Sequence, residues 1–518
     1  MTTAGSRPNI LLLMADQLSA FATGPYGNED VLTPNLDALA ERGTVFENAY
    51  CNAPLCVPSR AAMMTGRLPS GVPSNDNAEE FPASVPTFAH SLRRAGYRTI
   101  LSGKMHFVGP DQLHGFEERL TTDIFPPDLT WTRPWEEQGD PPRLSGAQQN
   151  GGREYVDILR SSGPLPWTYQ MHYDEEVRFT ALRRIRELAL DSGERAGEPW
   201  LMVASFTQPH DPYVAPPEYW NRYEGRRITL PEPVPDGVEP HPLDRWVNAF
   251  HGVDRAEIDD EAVRLARRGY YAMTSYIDDV VGSFVAELER FGLLDDTVVV
   301  FTSDHGDQLG EHGMYFKRTL REWSVRVPLL FAGPQVASGR RIGTPTSLVD
   351  LHPTFADLAG AALPEWVTGR FAGDSLTGLL AGDAGTEHPH RDVVVENSAE
   401  GTLLPVRAVV SGRHKLVYAH GLPDQLYDLE KDPRELDNRA ADPGYAEVRD
   451  RLRSSVLTDW DPVAAERDVV TSQRVRAFLG EALAHGAHTS WAYEPPVDAA
   501  RQWIRGTDDD PWDPLCGF

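Results

Sequence analysis

The chain has 518 residues, 41% of them hydrophobic, which is enough for one large and one smaller domain with sizeable cores. A formal net charge of −28 argues against nucleic acid or an acidic membrane surface as a partner. Three cysteines, Cys51, Cys56 and Cys516, make no disulfide framework. No apolar run is long enough for a membrane span or an export signal, so the expectation is a soluble, cytoplasmic protein.

Residues 9–14 form a short apolar run that reads as a buried strand, ending in Ala15-Asp16-Gln17. A helix follows from Pro34, with Leu36, Leu39 and Ala40 on one face and Gly43 as its stop. Next comes Cys56-Val57-Pro58-Ser59-Arg60, continuing to Thr65-Gly66-Arg67. Val57-Pro58 predicts a helix start, with Cys56 just ahead of it, where free N–H groups and the helix dipole favour an anion. Arg60 adds a fork of donors suited to a tetrahedral oxyanion. A lone cysteine here would read as a packing residue; the full pattern reads otherwise.

A helix over 86–95 and a strand over 97–102 lead into Gly103-Lys104-Met105-His106. The stretch 134–168 is rich in Pro, Gly and Gln and predicts a long loop over a site mouth. A helix over 173–190 carries Phe179, Leu182, Ile185 and Leu188 at helical spacing. The strand 200–206 ends in Gln208-Pro209-His210-Asp211. After a long helix over 261–291, the strand 296–303 opens into Asp304-His305-Gly306-Asp307, then Gly310-Glu311-His312-Gly313 and Lys317. A strand over 327–332 and a helix over 347–359 complete this half. Beyond Gly373 the pattern changes to short strands over 393–396, 407–411, 415–418 and 425–429. They predict a small antiparallel sheet, followed by helices and a tryptophan-bearing tail. The domains expected are 1–375 and 376–518.

Four strands thus deliver polar residues from their C-terminal ends, the usual site position in an open α/β sheet. Asp16, Asp304 and His305 are candidate ligands for a hard cation. The chain has only four lysines, Lys104, Lys317, Lys415 and Lys431, and two of them fall in these motifs, where a compact ammonium suits the chemistry.

Cys56-Val57-Pro58-Ser59-Arg60 with Thr65-Gly66-Arg67 resembles the signature of type I sulfatases. In that family a separate formylglycine-generating enzyme oxidises the cysteine to formylglycine. Its aldehyde hydrates; one hydroxyl attacks sulfur, and loss of a proton from the other expels sulfate. The resemblance covers nearly the whole chain. It implies an alkaline-phosphatase-like α/β sandwich, with a large mixed sheet flanked by helices and a smaller α+β C-terminal domain. It further implies that Asp16, Gln17, Asp304 and His305 hold Ca²⁺ or Mg²⁺ with the modified Cys56. Arg60 would orient that group, and Lys104, His106, His210 and Lys317 would surround sulfate and the leaving oxygen. Gln17 departs from the commoner pair of aspartates but resembles choline sulfatases and phosphonate monoester hydrolases. A phosphonate or phosphodiester hydrolase of the same superfamily is therefore the first alternative, and a non-enzymatic binding protein the second.

The run from Gly103 through Trp131 resembles choline sulfatases in particular. By that likeness Trp131 would supply an aromatic face for a quaternary ammonium, Glu400 a carboxylate, and Asn77 a polar wall. One departure is the missing His-Asn pair between Pro134 and His172, which leaves other small alkyl or aryl sulfates open. The tail from about Ser472, with Trp491, Trp503 and Trp512, resembles the choline sulfatase extension that packs between subunits, and implies a homodimer or homotetramer.

Overall fold

The computed structural model describes residues 7–127, 129, 134–143, 154–383, 385, 391–487 and 490–496. Its centre is an eight-stranded mixed sheet. The strands are β1 (Asn9–Ala15), β2 (Thr44–Phe46), β3 (Arg98–Gly103), β4 (Glu118–Arg119), β5 (Trp200–Ser205), β6 (Thr297–Ser303), β7 (Leu329–Ala332) and β8 (Arg340–Ile342). Their order is β8-β2-β7-β6-β1-β5-β3-β4. β1 lies parallel to β5 and β6, and β3 is parallel to β5, so four C-terminal ends come together along one edge. β7 runs antiparallel to β6 and β2, which makes the sheet mixed.

The apolar run of β1 is buried on both faces, as a central strand covered by helices requires. Ile10, Leu12 and Met14 face one core, shared with Ala61, Met63 and Met64 of helix α1 (Cys56–Thr65). Leu11, Leu13 and Ala15 face the other, built with helices α2 (Tyr169–Ala189) and α3 (Asp260–Arg290). All ten residues of α1 are buried, and Gly66 ends it in the left-handed conformation at φ 69°.

Four expectations need correction. Cys56 is the first residue of α1 rather than its predecessor. α2 begins at Tyr169, because the Thr168 side chain accepts the Met171 N–H and caps it there. Phe179 is 58% exposed, whereas the expected Leu182 and Ile185 are buried, with Val177 and Ala181 completing the buried stripe. The expected loop 134–168 also contains a 3-10 helix over Tyr155–Ser161.

The smaller sheet is a meander of β9 (Asp392–Asn397), β10 (Val406–Ser411), β11 (His414–Ala419) and β12 (Gln425–Asp428), antiparallel throughout. Its period-two alternation divides the strands between two cores. Val409, Leu416 and Leu426 pack with Leu452 and Val456 of helix α4 (Ala446–Leu457). Val395, Ala408 and Val410 join the main core. Helix α5 (Pro462–Leu483) follows. The fold is therefore the large mixed sheet with flanking helices, plus a smaller C-terminal domain carrying an antiparallel sheet.

Candidate active site

The parallel ends of β1, β3, β5 and β6 and the first residue of α1 meet at one buried point. Gly103 is needed there: its φ is 103°, and a Cβ would lie 1.9 Å from the Ser205 carbonyl oxygen of the adjoining strand. Gly306 is needed for a similar reason, since a Cβ would lie 2.0 Å from the Trp323 carbonyl oxygen.

Cys56 Sγ is the hub. It lies 3.2 Å from Lys317 Nζ, 3.5 Å from Lys104 Nζ, 3.3 Å from His305 Nε2 and 3.9 Å from Asp16 Oδ1. Burial pushes its thiol up. The Lys104 and Lys317 ammoniums and His305, aided by a hydrogen bond from His106, outweigh that and hold it well below the usual thiol value. The site thus favours an anion at this position. In a formylglycine form, the Sγ marks where an oxygen of the hydrated aldehyde would stand.

Arg60, one turn along α1, is 1% exposed. Its Nε donates to Asp304 Oδ2 at 2.9 Å and its Nη2 to Asp16 Oδ2 at 2.9 Å. Nη1 donates to the Lys104 carbonyl at 2.5 Å and to Ser205 Oγ at 2.9 Å. The guanidinium therefore ties four strand ends to α1. Burial and the Cys56 thiol raise the Asp16 carboxyl; Lys104, His210 and Arg60 lower it further and keep it ionised. Lys104 also donates to Asp16 Oδ2. Burial lowers the Lys104 ammonium, and Asp16 and Cys56 raise it above its ordinary value.

Asp16, Cys56, Asp304 and His305 each offer one donor atom, all buried and all within 4.8 Å of one another. His305 Nδ1 lies 3.1 Å from the Gly306 carbonyl, which can only accept, so Nδ1 donates there and Nε2 is the ring nitrogen turned towards Cys56. Gln17 joins through its backbone N–H, which donates to Asp304 Oδ1 at 3.0 Å. Its Oε1 is buried with no donor among the described residues. Two buried carboxylates, an imidazole nitrogen and an orphaned amide oxygen fit a divalent cation.

His210 Nδ1 donates to the Asp211 carbonyl at 2.8 Å, and its Nε2 lies 2.8 Å from Lys317 Nζ. Burial and Lys317 lower this imidazole; Asp211, Cys56 and Asp16 outweigh them and raise it. His106 has φ 56°, and its ring stacks on Phe125 at 5.0 Å. Phe125 also faces the Lys104 ammonium at 4.6 Å. Asn77 Oδ1 accepts the Val57 N–H at 3.0 Å and so caps α1 from outside the helix. Asn77 N donates to Glu400 Oε1 at 3.3 Å, and Glu400 Oε2 pairs with Arg318 at 2.7 Å. Twelve of the thirteen expected side chains thus lie at or beside one site. Trp131 is outside the described residues.

Several contributors were not singled out from sequence. Asp123 Oδ2 accepts the N–H groups of Met105 and His106 at 3.0 and 2.7 Å, fixing the loop that carries Lys104 and His106. Asp174 on α2 accepts from Thr207 N, Thr207 Oγ1 and Gln208 N, anchoring the start of the His210 loop. Arg318 pairs with Glu400. No sequence spacing signals these contacts. Beyond Phe125, a cavity of about 610 Å³ runs to Leu483, Trp491 and Tyr493 of the C-terminal segment.

A sequence pattern described as "Sulfatase" matches residues 8–361, well over half of the chain. This chain belongs to the sulfatase family. Two further patterns match this sulfatase: "N-sulphoglucosamine sulphohydrolase, C-terminal" over 310–460 and "Choline sulfatase enzyme C terminal" over 467–515. The chain is 43% identical over 515 residues to the choline-sulfatase of Rhizobium meliloti (strain 1021), covering 98% of this chain and 96% of that one. It is 29% identical over 531 residues to arylsulfatase K of Danio rerio, with 98% and 96% covered. Among solved structures, it resembles a phosphonate monoester hydrolase from Silicibacter pomeroyi with TM-score 0.67 and 25% identity, over 87% of this chain and 95% of that one. A structure in complex with its substrate D-glucosamine-2-N, 6-O-disulfate aligns with TM-score 0.67 at 22% identity, over 89% and 99%, and shows the shared fold. The sulfatase fold is alkaline-phosphatase-like, and the enzyme is a sulfuric ester hydrolase acting on sulfate monoesters. No helix among the described residues is long and apolar enough to cross a membrane.

Proposed function

We propose that this sulfatase hydrolyses choline O-sulfate to choline and sulfate, with formylglycine in place of Cys56 and a divalent cation, Ca²⁺ or Mg²⁺, held by Asp16, Gln17, Asp304, His305 and residue 56. The observation that carries the site reading is the convergence of Lys104, Lys317 and His305 on Cys56 Sγ at the N-terminus of α1. The choline reading rests on the 43% identical choline-sulfatase relative and the matching C-terminal pattern.

When present, formylglycine supplies a hydrated aldehyde as nucleophile and the cation supplies charge neutralisation for sulfate. The chain's own residues do the rest. Arg60 fixes Asp16 and Asp304 so that their outer oxygens face residue 56. Lys104 and His106 hold sulfate oxygens from the β3 side. Lys317, next to His210, stands where the leaving oxygen gains charge, and the pair can deliver a proton to it. Cys56 is 2% exposed, so the formylglycine-generating enzyme would have to act before the chain folds.

Trp131 and Glu400 are proposed to contact the substrate cation, with Asn77 beside them. The Glu400–Arg318 pair limits the charge that Glu400 can offer, so the aromatic contribution should dominate. The domain division is proposed between residues 375 and 376, ahead of the meander that begins at Asp392. Phe478 on α5 is 70% exposed and Val475 52% exposed, which supports a homodimer or homotetramer joined through the C-terminal segment. The location is proposed to be cytoplasmic.

The test is a substrate comparison with fully modified enzyme. Choline sulfate should be turned over, and Trp131→Ala should impair it far more than a neutral aryl sulfate. Equal losses on both, or no turnover of choline sulfate, would remove the choline reading and leave the sulfatase assignment standing.

A further inference from the structure

We infer that Asp307 and Asp211 are positioning residues that fix the rotation of the Gln17 amide, so that its oxygen and not its nitrogen is presented to the cation. This rests on the proposed cation site.

Gln17 is fully buried and held on its backbone from both sides. Its N–H donates to Asp304 Oδ1, and its carbonyl accepts from the Tyr270 hydroxyl. Its φ is 65°, a left-handed value that a side-chain-bearing residue adopts only when its surroundings impose it. The side-chain amide could still rotate by a half turn. One orientation offers an oxygen ligand. The other offers two N–H groups, which cannot ligate a cation.

The surroundings choose between them. Gln17 Nε2 lies 2.6 Å from Asp307 Oδ2 and 3.1 Å from Asp211 Oδ1. Both partners are carboxylates towards which other donors already point, two backbone N–H groups and a tyrosine hydroxyl at Asp307 and a tyrosine hydroxyl at Asp211, so each stands as an acceptor to the amide. The NH₂ group has two hydrogens and finds two acceptors, so Oε1 is left on the far side of the amide, without a donor among the described residues. A buried acceptor gives up its hydrogen bonds to water and must find another partner, so an oxygen held this way points to a cationic ligand.

The two carboxylates are themselves locked. Asp307 Oδ1 accepts the N–H groups of Leu309 and Phe316 at 2.9 and 3.1 Å, and Oδ2 accepts the Tyr213 hydroxyl at 2.7 Å. Asp211 Oδ2 accepts the Tyr155 hydroxyl. This boxing predicts what an amide would do at 307. The Leu309 and Phe316 N–H groups would keep the oxygen of Asp307→Asn on their side, and its NH₂ would fall against Gln17 Nε2. Two donors cannot share that contact, so the Gln17 amide would have to rotate or withdraw.

Binding of Ca²⁺ and of Mg²⁺ to metal-stripped full-length protein, by isothermal titration calorimetry, reads this directly without any turnover. Asp307→Asn is expected to weaken the preferred cation on the order of 10–100-fold, as loss of a residue orienting a metal ligand does. Asp211→Asn should weaken it in the same direction, and serves if Asp307→Asn does not fold. Asp278→Asn is the stability control. Asp278 caps the 34–42 helix through the N–H groups of Asn35 and Leu36, so it should lower thermal stability and leave cation affinity alone. Affinity in Asp307→Asn or Asp211→Asn equal to wild type overturns the positioning role. A wild-type protein that binds neither cation overturns the cation site itself, and the inference with it.

Discussion

Lys317 Nζ lies 3.2 Å from Cys56 Sγ and 2.8 Å from His210 Nε2, so one ammonium bridges the nucleophile position and an imidazole delivered by a different strand. That arrangement sets a charge on the leaving-group side of the site. Removing it should matter most when the leaving oxygen is basic. Lys317→Ala is expected to lower kcat on the order of 10²–10³-fold for alkyl sulfates. The loss should be clearly smaller for 4-nitrophenyl sulfate, whose leaving group needs little help. Steady-state kinetics on both substrates check this, and equal losses would place Lys317 on the sulfate oxygens instead.

Cys56→Ala should abolish turnover, a loss on the order of 10⁴-fold or more, because residues that act as one unit fail together. Peptide mass spectrometry spanning Cys56 should show a mixture or full conversion to formylglycine in the active wild type. Activity that survives the substitution would show that the nucleophile lies elsewhere.

Arg60→Met should destabilise the fold by about 3–5 kcal/mol, since it strips the guanidinium from Asp16 and Asp304 and leaves two buried carboxylates facing each other. A saturating divalent cation should recover part of that loss by supplying the missing positive charge. Thermal denaturation with and without Ca²⁺ measures both effects.

Burial pushes the His114 imidazole down to about 4, against the pull of Asp111 at 3.5 Å. Its ring lies stacked on Phe81 at 4.1 Å. The unfolded chain would protonate this group near pH 6.5. The neutral form is therefore the one the fold favours. Its contribution is complete above pH 6.5 and is lost as pH falls towards 4, by up to about 3 kcal/mol. His114→Gln should be less stable than wild type at pH 7, with a shallower decline on acidification. Denaturant unfolding at pH 7 and pH 4.5 tests the slope.

A fully modified enzyme should hydrolyse an aryl sulfate faster than the matching aryl phosphodiester. The solved phosphonate monoester hydrolase of similar fold makes this comparison worth running, since fold alone does not separate the two chemistries. Faster diester turnover would count against sulfate monoesters as the main substrate class.

Much of this was legible in the chain itself. The strands at 9–15, 98–103, 200–205 and 297–303 announce themselves as short apolar runs, and each ends in polar residues because a buried strand must give way to a loop at the sheet edge. Cys56 with Pro58-Ser59-Arg60, and Asp304-His305, carry the family's chemistry in contiguous residues, so a linear reading finds them. Tertiary structure alone decided the partners. That Arg60 spans Asp16 and Asp304, that Asn77 caps α1, that Glu400 is tied to Arg318, and that Asp211 and Asp307 meet at the Gln17 amide are contacts between residues 20 to 290 positions apart. The exposure of Phe179 was decided the same way, by which face of α2 the sheet and α3 covered. Local sequence fixes which groups a strand end delivers; which groups then meet depends on how separate elements pack, and no spacing in the chain records that.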